Sequence, residues 1–345
     1  MPLAMDTNSF LTELFHVAVD AADPAKIITD YLPDAPKGRT IVIGAGKASS
    51  QMGKAFEEAW EKERGTPLEG VIVTRYDYVS ECKNFEVLEA AHPVPDEAGL
   101  MAAKRLIDAV SELSEDDLVV ALISGGGSAL LPSPPEELTL ADEIAVNEVL
   151  LASGAPISAM NTVRKHVSEI KGGRLAKAAY PAKVVSLLVS DIPGDHPQYI
   201  ASGPTVADAG TREDALAIIS QYEMQLPDAV MAHIQSDAAG APMPDDAKLE
   251  HAEYHIFASA SKSLEAAQRH AQEMGIETHI LSDAIEGEAR EAARTQAAIA
   301  KEIALRDRPF KKPVLLLSGG ETTVTLKGNG KGGRNSEFLL SLIHI

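Results

Sequence analysis

The chain has 345 residues, 45% of them hydrophobic and 24% charged, with 31 basic against 51 acidic side chains and a formal net charge of −20. That length and mix predict about two globular domains, and the acidic balance argues against nucleic acid or an anionic membrane as principal partner. The single cysteine, Cys82, excludes an intramolecular disulfide and a multi-cysteine metal site. No run approaches the roughly 18 apolar residues of a membrane helix and the N-terminus lacks a signal pattern, so a cytoplasmic protein is expected.

In chain order, Phe10, Leu11, Leu14, Phe15, Val17 and Ala18 recur at helical spacing behind Asn8 and Ser9, which can cap an amphipathic helix. Residues 40–49 then read as strand, glycine turn and helix start, with Gly44, Gly46 and Lys47 in the turn. A Walker loop would need a glycine where Ile41 stands and a hydroxyl where Ala48 stands. A dinucleotide fingerprint would want a third small turn residue at Ser49 and an acid after the next strand, where Thr74 and Arg75 stand. Lys47 is left as a cation at a helix N-terminus, where the macrodipole favours an anion.

Residues 71–74 and 85–91 predict strands, and His92, in a proline-rich loop before a helix over 98–110, reads as structural. The apolar run 118–123 predicts a buried parallel strand, followed by Ser124, Gly125, Gly126, Gly127 and Ser128. Three glycines let the backbone leave the strand with its amides uncovered, which makes an anion site. Ser318, Gly319, Gly320 and Glu321 repeat the pattern after the run 314–317, and Gly332, Gly333, Arg334 and Asn335 follow. Two walls of one cleft are expected. Lys47, Arg164, Lys165, Lys171, Arg174, Lys327, Lys331 and Arg334 stand in or beside such turns, as the local cations an acidic anion-binder needs.

Between these turns a helix is predicted over 140–151, then a helical stretch through Asn161 and Lys171 that Gly172 and Gly173 end, in which Lys165 and Glu169 can pair. The strand 184–189 leads to Asp191 and Asp195, placed where open sheets put ligands and able to hold Mg²⁺ or accept a substrate proton. Residues 238–246 are the clearest linker, and strands near 254–258, 278–281 and 314–317 alternate with helices beyond it.

The segments Ile43-Gly-Ala-Gly-Lys-Ala48, Ala91-His-Pro-Val-Pro95, Ser124-Gly-Gly-Gly-Ser-Ala-Leu130, Asn161-Thr-Val-Arg-Lys-His166, Lys171-Gly-Gly-Arg-Leu175, Ser190-Asp-Ile-Pro-Gly-Asp195, Ile200-Ala-Ser-Gly-Pro-Thr205, Leu317-Ser-Gly-Gly-Glu-Thr322 and Gly332-Gly-Arg-Asn335 occur in that order. Together they resemble the glycerate 2-kinases whose family often carries the older label hydroxypyruvate reductase and a C-terminal MOFRL-type domain. The resemblance implies an α/β fold: a Rossmann-like α/β/α domain with a parallel sheet over 1–237, a linker over 238–250 and a smaller, incomplete α/β MOFRL-type domain over 251–345. It implies ATP-dependent phosphorylation of D-glycerate to 2-phosphoglycerate in an interdomain cleft, with ATP and Mg²⁺ as cofactors and a homodimer as the candidate assembly. Lys47 and Arg334 are carried over as active-site cations. Asp191 is expected to place the 2-hydroxyl or the metal, with Asp195 beside it. Gly44, Gly46, Ser124, Gly125, Gly126, Gly127, Ser128, Arg164, Lys171, Ser318, Gly319, Gly320, Glu321 and Asn335 are expected to bind nucleotide, phosphate or substrate. The family's second domain is expected to continue well past Ile345, which makes a truncated chain without turnover one alternative. The other is an NAD(P)H-dependent hydroxypyruvate reductase, supported by Gly44 and Gly46 after a strand and opposed by the absent ribose-binding acid.

Overall fold

A computed structural model describes residues 6–328 and 330–344. Contacts divide the chain into two compact units: residues 24–190 with 196–257, and residues 1–23 with 191–195 and 258–345. Among the described residues no helix is long and apolar enough to cross a membrane.

The larger unit is built on a six-stranded sheet. Its strands are β1 (Thr40–Ala45), β2 (Glu69–Arg75), β3 (Phe85–Ala90), β4 (Leu118–Ser124), β5 (Lys183–Val189) and β6 (Ala252–Ala258), in the order β3-β2-β1-β4-β5-β6. The pairings from β3 through β5 are all parallel. Every residue of β1 and β4 is buried, which is why these two read as unbroken apolar runs: helices cover both faces of a parallel sheet. Thr139 and Thr211 start the helices Leu140–Ala152 and Arg212–Gln221 with capping boxes, each closed by an aspartate three residues on.

The smaller unit pairs two parallel strands, β7 (Glu277–Glu288) and β8 (Val314–Thr323), with register shifts between Ile280 and Ser282 and between Ser282 and Ile285. The helix Thr7–Asp20 belongs to this unit. Its Phe10 and Leu14 pack with Ala267 and Ala271 of the helix Ala260–Glu273, and Leu315 and Leu317 of β8 close that core.

Three expectations change. The opening helix is capped by Asp6, which accepts from Ser9 N at 3.1 Å, rather than by Asn8 or Ser9. The helix carrying Asn161 runs Ile157–Lys165 and stops seven residues before Gly172, so Lys165 and Glu169 never face each other. The stretch taken as a linker stays with the larger unit. Ala239 O meets His166 Nδ1 at 2.6 Å and Gly240 O accepts from Arg174 Nη2 at 2.7 Å, so this Gly- and Pro-rich segment is tied down before β6 joins the sheet.

Candidate active site

Strand order reverses between β1 and β4, and loops leaving such a pair at their carboxyl ends are where open α/β sheets hold ligands. Here the two loops are bonded to each other. Lys47 N donates to Gly125 O at 2.9 Å, and Ala48 N donates to Ser124 Oγ at 3.0 Å. Ser49 Oγ donates to Val73 O at 2.6 Å, adding the end of β2 to the frame. Gly44 lies inside β1, where a Cβ would press on Ile72 and Leu122, so its part is close packing of the strand. Gly46, at φ 134°, lies so near β4 that a Cβ would be 2.2 Å from Ser124 Oγ.

Gly126 has φ 84° and turns the chain into the single helical turn Gly127–Leu130. A Cβ on Gly126 would sit 2.9 Å from Lys47 Cε and 3.0 Å from His92 Nε2. Lys47 and His92 therefore converge on one bare backbone position. Nothing local in the sequence distinguishes His92 from a structural loop histidine; its placement comes from β3 ending beside β2.

Behind this loop runs a buried polar chain. Ser128 Oγ lies 2.7 Å from Ser202 Oγ, and Ser202 Oγ donates to Asn161 Oδ1 at 2.9 Å. Arg164 Nη1 donates to the same oxygen at 3.1 Å, while its Nε donates to Asn147 Oδ1 at 2.8 Å. Burial holds the Arg164 guanidinium below its usual pKa, with Glu143 acting in the opposite sense. Ala201 and Ser202 have φ 52° and 60°, left-handed values that cost non-glycine residues on the order of 1–3 kcal/mol each. A Cβ on Gly127 would stand 2.6 Å from Ala201 Cβ, so the glycine is what lets that strained turn approach. Asn161 and Ser202 stood in the sequence motifs without a role, because neither alanine nor serine announces a left-handed turn.

The other cations expected here are turned inward. Lys165 Nζ donates to Asp208 O at 2.7 Å and to Asp208 Oδ1 at 2.8 Å; burial lowers its pKa against that aspartate's pull. Lys171 pairs with Glu143, and both side chains are buried. Arg174 donates to the carbonyls of Lys165, Lys171 and Gly240. With the helix ended at Lys165, the chain folds back through Gly172 and Gly173, and these stems run into the interior. They hold loops in place.

The smaller unit has its own cluster. Asp191, Asp195, Asp283 and Glu321 line a cavity of about 230 Å³ together with Ala260 and Gly320. Ser318, Gly319, Thr322 and Asn335 line another of about 130 Å³, where Ser318 Oγ donates to Gln296 Oε1 at 3.1 Å. Arg334 begins the helix Arg334–Ile343, pairs with Glu321 and donates to Thr322 O at 3.3 Å. Ser318 through Thr322, expected to form a turn, lie within β8 instead. Gly320 has φ 152°, and a Cβ there would meet Ile285 O at 2.1 Å, so the glycine accommodates the bulged neighbour rather than releasing the chain. Among the described residues no three His, Cys, Asp or Glu side chains are grouped to hold a metal ion. Asp191 and Asp195 line the same cavity, and Mg²⁺ that arrives on phosphates asks only one or two carboxylates of a protein.

The family description "Domain of unknown function (DUF4147)" fits residues 10–235, and that of the MOFRL family fits residues 314–344. An Agrobacterium vitis protein named "Putative hydroxypyruvate reductase" is 50% identical over 340 residues, which are 98% of this chain and 76% of that one. The glycerate 2-kinase of Pyrococcus horikoshii is 41% identical over 356 residues, covering 98% and 79% respectively. The crystal structure of the Thermotoga maritima glycerate kinase matches with a TM-score of 0.84 at 39% identity, over 97% of this chain and 78% of that one.

Proposed function

The chain belongs to the glycerate kinase family that joins a DUF4147 region to a MOFRL region, and on that premise we infer that it is an ATP-dependent glycerate kinase acting on the 2-hydroxyl of D-glycerate. The observation that carries the reading is the convergence of Lys47 and His92 on Gly126 at the point where strand order reverses. Phosphoryl transfer is mainly positioning and charge neutralisation, which asks for cations and open backbone more than for covalent chemistry.

In this reading Lys47 offsets charge on the transferring group, while the loop through Gly125 and Gly126 lets anionic oxygens approach the backbone. Arg334 supplies a planar fork suited to a carboxylate or phosphate. Asp191 and Asp195 would hold Mg²⁺, which when bound neutralises phosphate charge. Asp191 is also a group that can orient the attacking hydroxyl.

The test is incubation with ATP, Mg²⁺ and D-glycerate, followed by a coupled assay that responds to 2-phosphoglycerate and not to 3-phosphoglycerate. ADP should appear with 2-phosphoglycerate. Oxidation of NADH by hydroxypyruvate without ATP would put the reductase reading in its place, and 3-phosphoglycerate as product would reassign the position.

A further inference from the structure

The hydrogen-bonded chain behind Gly126 fixes which way the Ser128 hydroxyl faces, and from that we propose that Ser128 Oγ is an acceptor for a hydroxyl of the substrate. The inference rests on the kinase reading, in which the hydroxyl-bearing substrate is glycerate. Arg164 has only donors, so Asn161 must turn its Oδ1 toward Nη1 at 3.1 Å. Ser202 Oγ is 2.9 Å from the same oxygen. An amide oxygen cannot donate, so the one hydroxyl hydrogen of Ser202 goes to Asn161. The 2.7 Å contact between Ser202 Oγ and Ser128 Oγ must then be donated by Ser128. Its single hydrogen points inward, and only lone pairs are left to face the loop.

Lone pairs repel the oxygens of a phosphate or carboxylate and welcome an O–H. Ser128 is half-buried and lies two residues from Gly126, the position on which Lys47 and His92 converge. The loop expected to offer only donors therefore also holds one acceptor, which sorts hydroxyl from anion. The polarity is enforced from behind. Asn161 is 95% buried, and its Nδ2 has no partner among the described residues; turning the amide over to relieve that atom would set two donors, Nδ2 and Arg164, against each other. Ser202 is held to its task by its left-handed backbone at φ 60°.

Ser128 thus touches substrate, and Ser202 is a positioning residue that acts through it. The experiment is steady-state kinetics of the whole chain and of S128A, S128T, S202A and the double variant S128A/S202A, with melting curves in D-glycerate and in inorganic phosphate. S128A should lose about 10- to 100-fold in kcat/KM for glycerate. S128T should recover most of it, S202A should lose less, and the double variant should match S128A alone. Stabilisation by phosphate should be the same in S128A as in wild type. An S128A enzyme within about twofold of wild type, losses that multiply in the double variant, or a phosphate effect that disappears with Ser128 would each overturn the proposal. A wild type that melts higher in glycerate yet transfers nothing from ATP would retire the kinase reading alone, and loss of that shift in S128A would still support the contact. A wild type that shows neither transfer nor a shift overturns both.

Discussion

Ser-Gly-Gly ends an apolar run twice, at Ser124, Gly125 and Gly126 and again at Ser318, Gly319 and Gly320, and the backbone treats the two differently. After β4 the chain leaves the sheet, with Gly126 left-handed and a helical turn following. In β8 it continues to Thr323, because β7 runs alongside as far as Glu288 and keeps offering partners. The neighbours of β4 offer none: β1 ends at Ala45 and β5 at Val189, level with Ile123 and Ser124. Glycine permits an exit, but the pairing of buried backbone groups decides whether one is taken.

If the exit after β4 is held by cations turned inward, Lys171→Met should be the most damaging change, leaving Glu143 buried and unpaired at a cost of about 3–5 kcal/mol. Urea unfolding followed by Trp60 reads this directly, since that single tryptophan is buried in the larger unit. A loss below about 1 kcal/mol would mean the pair does not hold the loop. Lys47→Met should instead lower kcat by roughly 10²- to 10³-fold, the size of effect seen when one group meeting transition-state charge is removed. Near-normal turnover would take Lys47 out of the chemistry.

The glycines sharpen the contrast further. Gly127→Ala should cost about 1–3 kcal/mol in the Trp60 transition and lower kcat/KM as well, because it pushes on Ala201 and so on Ser202. Gly320→Ala meets a carbonyl oxygen across a strand pair and should lower stability while leaving the Trp60 transition in place. Equal shifts of that transition would break the comparison.

The smallest effect concerns His166, whose Nδ1 donates to Ala239 O while Nε2 is buried without a partner among the described residues. Burial, with Lys165 and Arg174 nearby, holds its pKa below the ordinary value of 6.5. The unfolded chain therefore binds more protons than the folded one between the two values, and stability rises with pH across that window. Melting temperature should fall as pH drops from about 7 through 6, and His166→Asn, which keeps a donor for Ala239, should flatten that slope. An unchanged slope would remove His166 from the pH response.

The sheet was legible in the sequence because its central strands are buried on both faces, so residues 40–45, 118–123 and 184–189 show as plain apolar runs. The loop carrying Gly126 and the lysine beside it were legible for the same reason: each directly follows such a run. The roles of Lys165 and Lys171 were hidden, since helical spacing describes neighbours only while the helix lasts, and this one ends at Lys165. The segment near Ala239 looked like a linker because composition does not reveal that His166 and Arg174 reach its carbonyls. His92, Asn161 and Ser202 come together through strand order and a strained turn, neither of which is written in spacing.

The helix Thr7–Asp20 precedes the larger unit in the chain, yet Glu13 meets His270 Nε2 at 2.8 Å across 257 residues of sequence. During synthesis its apolar face, with Phe10 and Leu14, must wait uncovered while the whole larger unit is translated. A nascent chain paused before Ala267 emerges would expose that face to chaperones, and fragments cut after the larger unit would carry a helix with nothing to pack against.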